Sequence, residues 1–389
     1  MEISEVVVDE FEYRLEDVGT HRGRQTYQPG STVEPPGFVL TIRTDTGVEG
    51  HYRGFMFVPP MVAQVKMAAA EFLLGRDPLE REAIWDDLWR AFRTTDHLGV
   101  GPIDIALWDL AGKHHDASVS TLLGGYRDRV PAYASTYMAD DQPDGLSDPE
   151  TYVDFGEECR DRGYPAYKIH PTGDAELDVE ICEAVGEALG DDVDLMLDPA
   201  NEYRTYADAL EVGRVLDEHN YFWYEDPMSD AGESLHMARR LAEQLDTPLL
   251  GLEHSRTGPY GFANYVSEDV FEYVRGDAHC NGGITGAMKT AHLAESFGVD
   301  IEFHVGGPAH LHCMSAIRNT NYFEKGLLHP EVEWMAAQGF VEDVEASDDE
   351  GHVAVPDGPG LGVEVDWDFV EERRTGRTVV DEAGASGLA

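Results

Sequence analysis

Short apolar runs that end in an acid recur through the middle of the chain. They read Val193-Asp-Leu-Met-Leu-Asp198, Tyr221-Phe-Trp-Tyr-Glu225 and Pro248-Leu-Leu-Gly-Leu-Glu253, with the acids 27 (225 − 198) and 28 (253 − 225) residues apart. A short apolar run bounded by turn signals predicts a buried strand, and a spacing of about 30 residues fits one βα unit. From Val130 onward the same texture predicts eight strands: Val130–Ser135, Ala166–His170, Val193–Asp198, Tyr221–Glu225, Pro248–Glu253, Val270–Asp277, Val299–His304 and Thr320–Glu324. Amphipathic stretches such as Leu177–Leu189, Tyr206–His219, Ser234–Leu245 and Ala287–Phe297 predict helices in the gaps. Eight strands alternating with helices predict a closed parallel barrel. The rival, an open doubly wound sheet, would carry a glycine-rich phosphate loop after its first strand. No GxGxxG or Walker A sequence occurs.

The flanking segments read differently. Glu2–Tyr13, Gly37–Thr44 and a stretch near Val48–Tyr52 predict strands, the last two joined by an Asp45-Thr46-Gly47 turn. Met61–Leu74, Leu79–Phe92 and Ile103–Lys113 carry apolar residues at helical spacing. Between the first two strands lies a polar loop with a basic cluster, His21-Arg22-Gly23-Arg24-Gln25-Thr26-Tyr27. It is either a solvated hairpin loop or a lid in which Arg22 and Arg24 bind an anionic substrate. After Glu342 the chain turns acidic and turn-rich, and predicts a tail that returns to the N-terminal α+β region.

In a βα barrel the C-terminal strand ends rim one mouth, where the chemistry sits. Here that mouth gathers Lys168 and His170, which alternation sends to one side, then Asp198, Glu225, Glu253, Asp277, His304 and Glu324. Three carboxylates on neighbouring strands are hard oxygen ligands of the kind Mg²⁺ takes, whereas zinc favours His and Cys. Asp277 and His304 lie on adjacent strands, and an Asp that accepts from one imidazole nitrogen fixes the tautomer and raises the basicity of the other. Lys168 is a cation beside the metal site, and His170 is a second acid or base.

Composition narrows the setting. Only 28 Lys and Arg face 76 Asp and Glu, for a net charge of −48, and five of the 28 are lysines. Nucleic acids and anionic membranes need a basic surface, so neither is an expected partner. An acid-rich, lysine-poor chain fits high intracellular salt, where screening shortens repulsion to about 3 Å at roughly 1 M. The expected source is a halophile. Hydrophobic residues reach 42%, which separates the chain from acidic disordered proteins. The four cysteines have no CxxC spacing and read as reduced thiols. Without a leader or a long apolar run, the expected location is the cytoplasm.

Taken in order, these pieces resemble the enolase superfamily, and within it the mandelate racemase subgroup. The resemblance rests on Ile103-Asp-Ile-Ala-Leu-Trp-Asp-Leu-Ala-Gly-Lys113, Leu122-Leu-Gly-Gly125, the Lys168-x-His170 pair and the Asp198/Glu225/Glu253 triad. It also includes Asp277 with Gly282-Gly-Ile-Thr285, His304 and Pro359-Gly-Leu-Gly362. It implies a (β/α)₇β barrel over residues 127–350, capped by an α+β domain from residues 1–126 and a returning tail, 351–389. It implies one Mg²⁺ on the triad, a His304–Asp277 dyad, and Lys168 neutralising a substrate carboxylate that Glu324 hydrogen-bonds as it becomes an enediolate. Two features depart from the subgroup. His170 stands where mandelate racemase has a second lysine, and Asn201 follows Asp198 one residue later than in the usual Asp-x-Asn, as a group beside the metal ligands. The activity implied is abstraction of the proton α to a carboxylate. The leading expectation is dehydration of a sugar acid, aldonate or aldarate, to a 2-keto-3-deoxy acid by a homo-oligomer. Racemisation or epimerisation is the alternative, and a non-catalytic carboxylate-binding or assembly protein a distant third.

Overall fold

The computed structural model describes every residue except 22, 23, 230–233, 254, 256, 333–338 and 389. The N-terminal part holds β1 (Ile3–Glu12), β2 (Leu15–His21), β3 (Arg24–Val33), β4 (Pro36–Thr44) and β5 (Glu49–Gly54), then helices Val58–Ala68, Arg81–Ala91 and Val100–His115. The barrel strands are β6 (Arg129–Met138), β7 (Ala166–His170), β8 (Asp194–Leu197), β9 (Trp223–Glu225), β10 (Leu249–Gly251), β11 (Tyr273–Gly276), β12 (Asp300–Phe303) and β13 (Phe323–Leu328). β14 (His352–Ala354), β15 (Arg374–Asp381) and β16 (Gly384–Leu388) complete the described strands.

β13, β6 and then β7 through β12 pair side by side, all parallel. The ring closes without a ladder between β12 and β13. The Ile301 N–H donates to the Asn319 carbonyl at 2.9 Å, and Asn321 Nδ2 to Glu302 Oε1 at 2.7 Å. One helix fills each of the seven gaps between consecutive barrel strands, as in Ala175–Leu189 and Gly283–Phe297. This is the expected (β/α)₇β barrel with an N-terminal capping domain. Strand alternation sorts its interior into layers. Tyr133, Ala166, Met196, Trp223 and Leu250 form an apolar floor, and residues two positions further along these strands include Ser135, Lys168, Asp198 and Glu225.

The other sheet runs β16-β15-β1-β4-β5, so the returning tail is hydrogen-bonded to the first strand. The span expected to be a loop between the first two strands is instead the β2/β3 hairpin. Thr26 of β3 pairs with Met138 at the end of β6, which places the hairpin against the barrel mouth.

Several motifs of the resemblance meet where cap and barrel touch. Asp104 accepts from Thr285 N at 2.8 Å and Thr285 Oγ1 at 2.6 Å, and burial pushes its carboxyl up to about 7. Asp109 accepts from the N–H groups of His51 (2.7 Å) and Leu361 (2.8 Å) and from Lys113 Nζ at 2.6 Å. Gly360 sits against Asp109 at φ +76, where an added Cβ would lie 2.2 Å from Asp109 Oδ1. Gly360→Ala is therefore expected to destabilise by about 2 kcal/mol or more, read as a lower urea midpoint. An unchanged midpoint would contradict this tight packing. The four cysteines are free and buried. No helix among the described residues is long and apolar enough to cross a membrane.

Candidate active site

The expected site residues come together at the C-terminal mouth. Asp198, Glu225 and Glu253 each offer a carboxylate oxygen within 4.8 Å of the others. Lys168, only 1% exposed, bridges three acids: its Nζ lies 3.2 Å from Asp198 Oδ2, 3.0 Å from Glu225 Oε2 and 2.8 Å from Glu324 Oε1. Burial pulls a lysine down, but Glu225 and Glu324 outweigh it and hold Lys168 well above its usual range. Burial likewise pushes Asp198 up, yet Lys168 and His170 hold it well below the carboxylate range.

The two imidazoles are fixed from behind. His170 Nδ1 lies 2.7 Å from the Thr136 carbonyl, which can only accept, so Nδ1 carries the proton. Its Nε2 faces Asp198 Oδ2 at 3.1 Å. His304 Nδ1 lies 3.2 Å from Asp277 Oδ2, and its Nε2 3.3 Å from Glu253 Oε1. Asp277 in turn accepts from the His279 N–H at 2.6 Å and the Cys280 N–H at 3.1 Å. Burial lowers an imidazole, but Glu253 and Asp277 raise His304 to about 9.

A cavity of about 480 Å³ opens over this cluster, with Lys168, His170, Asp198, Glu253, His304 and Glu324 among its lining. Glu225 and Asp277 stand behind it, buried.

Two expectations change. Glu324 is the second residue of β13 rather than a strand end, because that strand runs on to Leu328. It accepts from Ser135 Oγ at 2.9 Å. Against burial, Lys168 and Arg275 hold its carboxyl below the ordinary carboxylate range. Arg24 lines the cavity, but its guanidinium is turned to the chain: it donates to the Ala200 carbonyl and pairs with Glu202 at 3.0 Å. Arg22 lies outside the described residues. Asn201 sits in the turn after Asp198, its side-chain amide buried and without a hydrogen-bond partner among the described residues.

Sequence reasoning missed two residues. Arg275, fully buried on β11, donates through Nε to Glu225 Oε1 at 2.7 Å and through Nη1 to the Phe303 carbonyl at 3.1 Å. The signal was available: it is a charge inside an apolar run, two residues before Asp277 and so on the same side. Asp226, the residue after Glu225, accepts from the N–H groups of Leu252 (3.2 Å) and Glu253 (3.1 Å) and so fixes the turn that presents Glu253. Ala200 (φ 48), Asn201 (φ 68), Asp226 (φ 32) and Leu252 (φ 79) all adopt left-handed backbone just past barrel strands. Such strain gathers where side chains are aimed for function.

The donor set fits a dication. Six carboxyl groups (Asp198, Glu225, Asp226, Glu253, Asp277 and Glu324) crowd the site, against two fixed cations, Lys168 and Arg275, among the described residues. Burial, together with repulsion from Asp198 and Glu253, holds Glu225 above its ordinary range even beside Arg275. An all-oxygen triad is the chemistry of Mg²⁺ sites.

Two family models match the chain. One, described as Enolase C-terminal domain-like, covers residues 152–369. The other, the mandelate racemase/muconate lactonizing enzyme N-terminal domain, covers residues 24–124. A D-galactarolactone cycloisomerase of Agrobacterium fabrum is 34% identical over 328 residues, which span 80% of this chain and 84% of the relative. An arabinonate dehydratase of Saccharolobus solfataricus is 29% identical over 88% of this chain and 92% of the relative. Among solved structures, a D-glucarate dehydratase of Agrobacterium tumefaciens complexed with magnesium superposes with a TM-score of 0.86 at 33% identity, covering 96% of this chain and 99% of that one.

Proposed function

The chain belongs to the mandelate racemase/muconate lactonizing enzyme family of the enolase superfamily, and from that premise we propose that it abstracts the proton α to the carboxylate of a sugar acid and eliminates the β-oxygen substituent, giving a 2-keto-3-deoxy acid. The observation that carries this reading is the pair of imidazoles in one cavity, each with its rear nitrogen fixed, beside Lys168 and the acidic triad. Relatives named as sugar-acid dehydratases and cycloisomerases support it.

Asp198, Glu225 and Glu253 would hold Mg²⁺, which when bound supplies positive charge to the substrate carboxylate as the α-proton leaves. Lys168 adds a second positive charge at the same place. Asp226 holds the backbone of Glu253, Arg275 holds Glu225 from below, and Glu324 orients Lys168. His170 and His304 divide the proton work through their Nε2 atoms. One takes the α-proton, and the other protonates the departing oxygen. Asp277 keeps the His304 ring in place and balances its charge.

Semicarbazide detection of 2-keto acid across a library of aldonic and aldaric acids and their cyclic forms, with Mg²⁺ in molar KCl, tests this reading. Solvent deuterium at Cα without keto acid would point instead to a racemase or epimerase. Stripping divalent cations with EDTA is expected to abolish turnover and lower the Tm, and Mg²⁺ to restore both. A Tm indifferent to Mg²⁺ would count against the triad as its site.

A further inference from the structure

Behind the His304–Asp277 pair stands another imidazole, which the proton chemistry does not use. His279 is 4% exposed, and its N–H donates to Asp277 Oδ1 at 2.6 Å. Its Nε2 lies 3.3 Å from the carbonyl of Gly306, two residues past His304. A carbonyl can only accept, so Nε2 carries the proton and Nδ1 is left as an acceptor. Tyr52, on β5 of the cap, fills that place with its hydroxyl 2.9 Å from Nδ1. Burial, with His310 adding to it, pulls His279 down to about 4. Burial also pushes Tyr52 well above its ordinary range. The imidazole is neutral and the phenol keeps its proton, as this bond requires.

The His279 ring thereby holds the dyad from both sides. On the Asp277 side it fixes where its own backbone lies. That N–H and the Cys280 N–H, at 3.1 Å, hold Oδ1 and so aim Oδ2 at His304 Nδ1. On the other side it holds the turn that follows His304. His310 packs edge-on to the ring, 4.8 Å between centres, and accepts the Ala278 N–H at 2.9 Å. Among the described residues, Tyr52 gives the cap its hydrogen bond to this ring. The cap presses close here: a Cβ added to Gly101, at the start of helix Val100–His115, would lie 2.1 Å from the His279 carbonyl oxygen. Removing the Tyr52 hydroxyl would leave a buried acceptor unmatched and the ring free to turn. A shift of about 1 Å in a catalytic group can cost roughly 100-fold in rate.

Resting on the reading that His304 moves a proton, we propose that Tyr52 and His279 are positioning residues for the His304–Asp277 dyad, so that seating of the cap on the barrel sets where His304 stands. Neither touches the reacting atoms. They act through the Asp277 carboxylate and the Gly306 carbonyl.

The test uses the Mg²⁺-loaded full chain in molar KCl and the aldonic or aldaric acid that the parent converts fastest. Keto acid is followed with semicarbazide, and α-proton exchange by NMR in deuterated buffer. Tyr52→Phe keeps the ring and loses the hydroxyl. His279→Leu keeps the backbone N–H and loses both ring bonds. Circular dichroism checks that each folds. Tyr52→Phe is expected to lower kcat about 10-fold with KM and the Mg²⁺ requirement within roughly 2-fold, and His279→Leu to lower kcat further. Both should alter the balance of exchange and elimination in the same direction as His304→Asn, and not as His170→Asn. Tyr221→Phe removes another buried hydroxyl, bonded to the Cys182 carbonyl at 2.9 Å before β9 and away from Glu225. It should lower the urea midpoint and leave kcat unchanged. If Tyr52→Phe and His279→Leu likewise lose only stability, or follow His170→Asn, the inference is overturned and β-elimination stands. A parent that neither forms keto acid nor exchanges an α-proton overturns both.

Discussion

Lys168→Met is expected to cost the apo-protein about 3–5 kcal/mol and to take keto-acid formation below detection. The substitution keeps most of the stem and removes the charge. What remains is a buried group of acids, Asp198, Glu225 and Glu324, that had shared one ammonium at 2.8–3.2 Å. Removing one partner of a buried ionic cluster strands the others, and that cost exceeds the net worth of the intact cluster. Urea unfolding measures it. The penalty should shrink as pH falls. Burial pushes Asp198 and Glu324 up, and it is chiefly Lys168 that brings both below the carboxylate range. That stability is present above the ordinary carboxylate pKa and is lost as pH drops through the depressed value. In the variant the same acids take up protons nearer the ordinary range, which relieves the repulsion. Mg²⁺ should recover part of the loss by replacing the missing charge. A variant as stable as the parent at neutral pH would mean that Lys168 is not the counter-charge of this cluster.

The second large effect concerns the imidazoles. His304→Asn and His170→Asn are each expected to lower kcat by about 10²–10⁴-fold. An amide can still reach the Thr136 carbonyl or the Asp277 carboxylate, but His304→Asn also removes the positive charge between Glu253 and Asp277 and should lower the Tm, whereas His170→Asn should change it little. The two should differ in solvent exchange. The variant that lost the base stops exchanging the α-proton. The one that lost the acid goes on exchanging it while elimination fails. Both variants within 10-fold of the parent would remove the imidazoles from the mechanism.

Much of this site was legible because period two in the strands fixes which side chains share a face. Lys168 and His170 on β7, with Asp198 and Glu225 on the next two strands, needed only that rule. Strand ends were less legible. Glu253 lies two residues past β10, in a turn held by Leu252 at φ 79 and by the Asp226 carboxylate. A local pattern cannot show a turn fixed by a side chain 27 residues away (253 − 226). The β2/β3 hairpin was illegible for another reason. From Arg24 to Val33 its burial follows no alternation, and it is held by pairing within itself and by Thr26 against Met138. Arg24 looked like an anion-binding residue because a basic cluster in an acidic chain suggests one. Its partners, Ala200 and Glu202, belong to the turn after Asp198, 176 residues further on (200 − 24).

The cap sheet has a consequence in time. β1 lies between β4 and β15, and Glu5 pairs with Asp381, 376 residues later (381 − 5). A ribosome adds roughly 5–20 residues per second, so β1 waits tens of seconds with one edge unpaired while the barrel is made and can fold beneath it. The β1–β15 pairing of the cap is then the last structure to form. An open strand edge is a template for pairing with other chains, and through that interval the nascent protein depends on its strong negative charge to keep its neighbours apart.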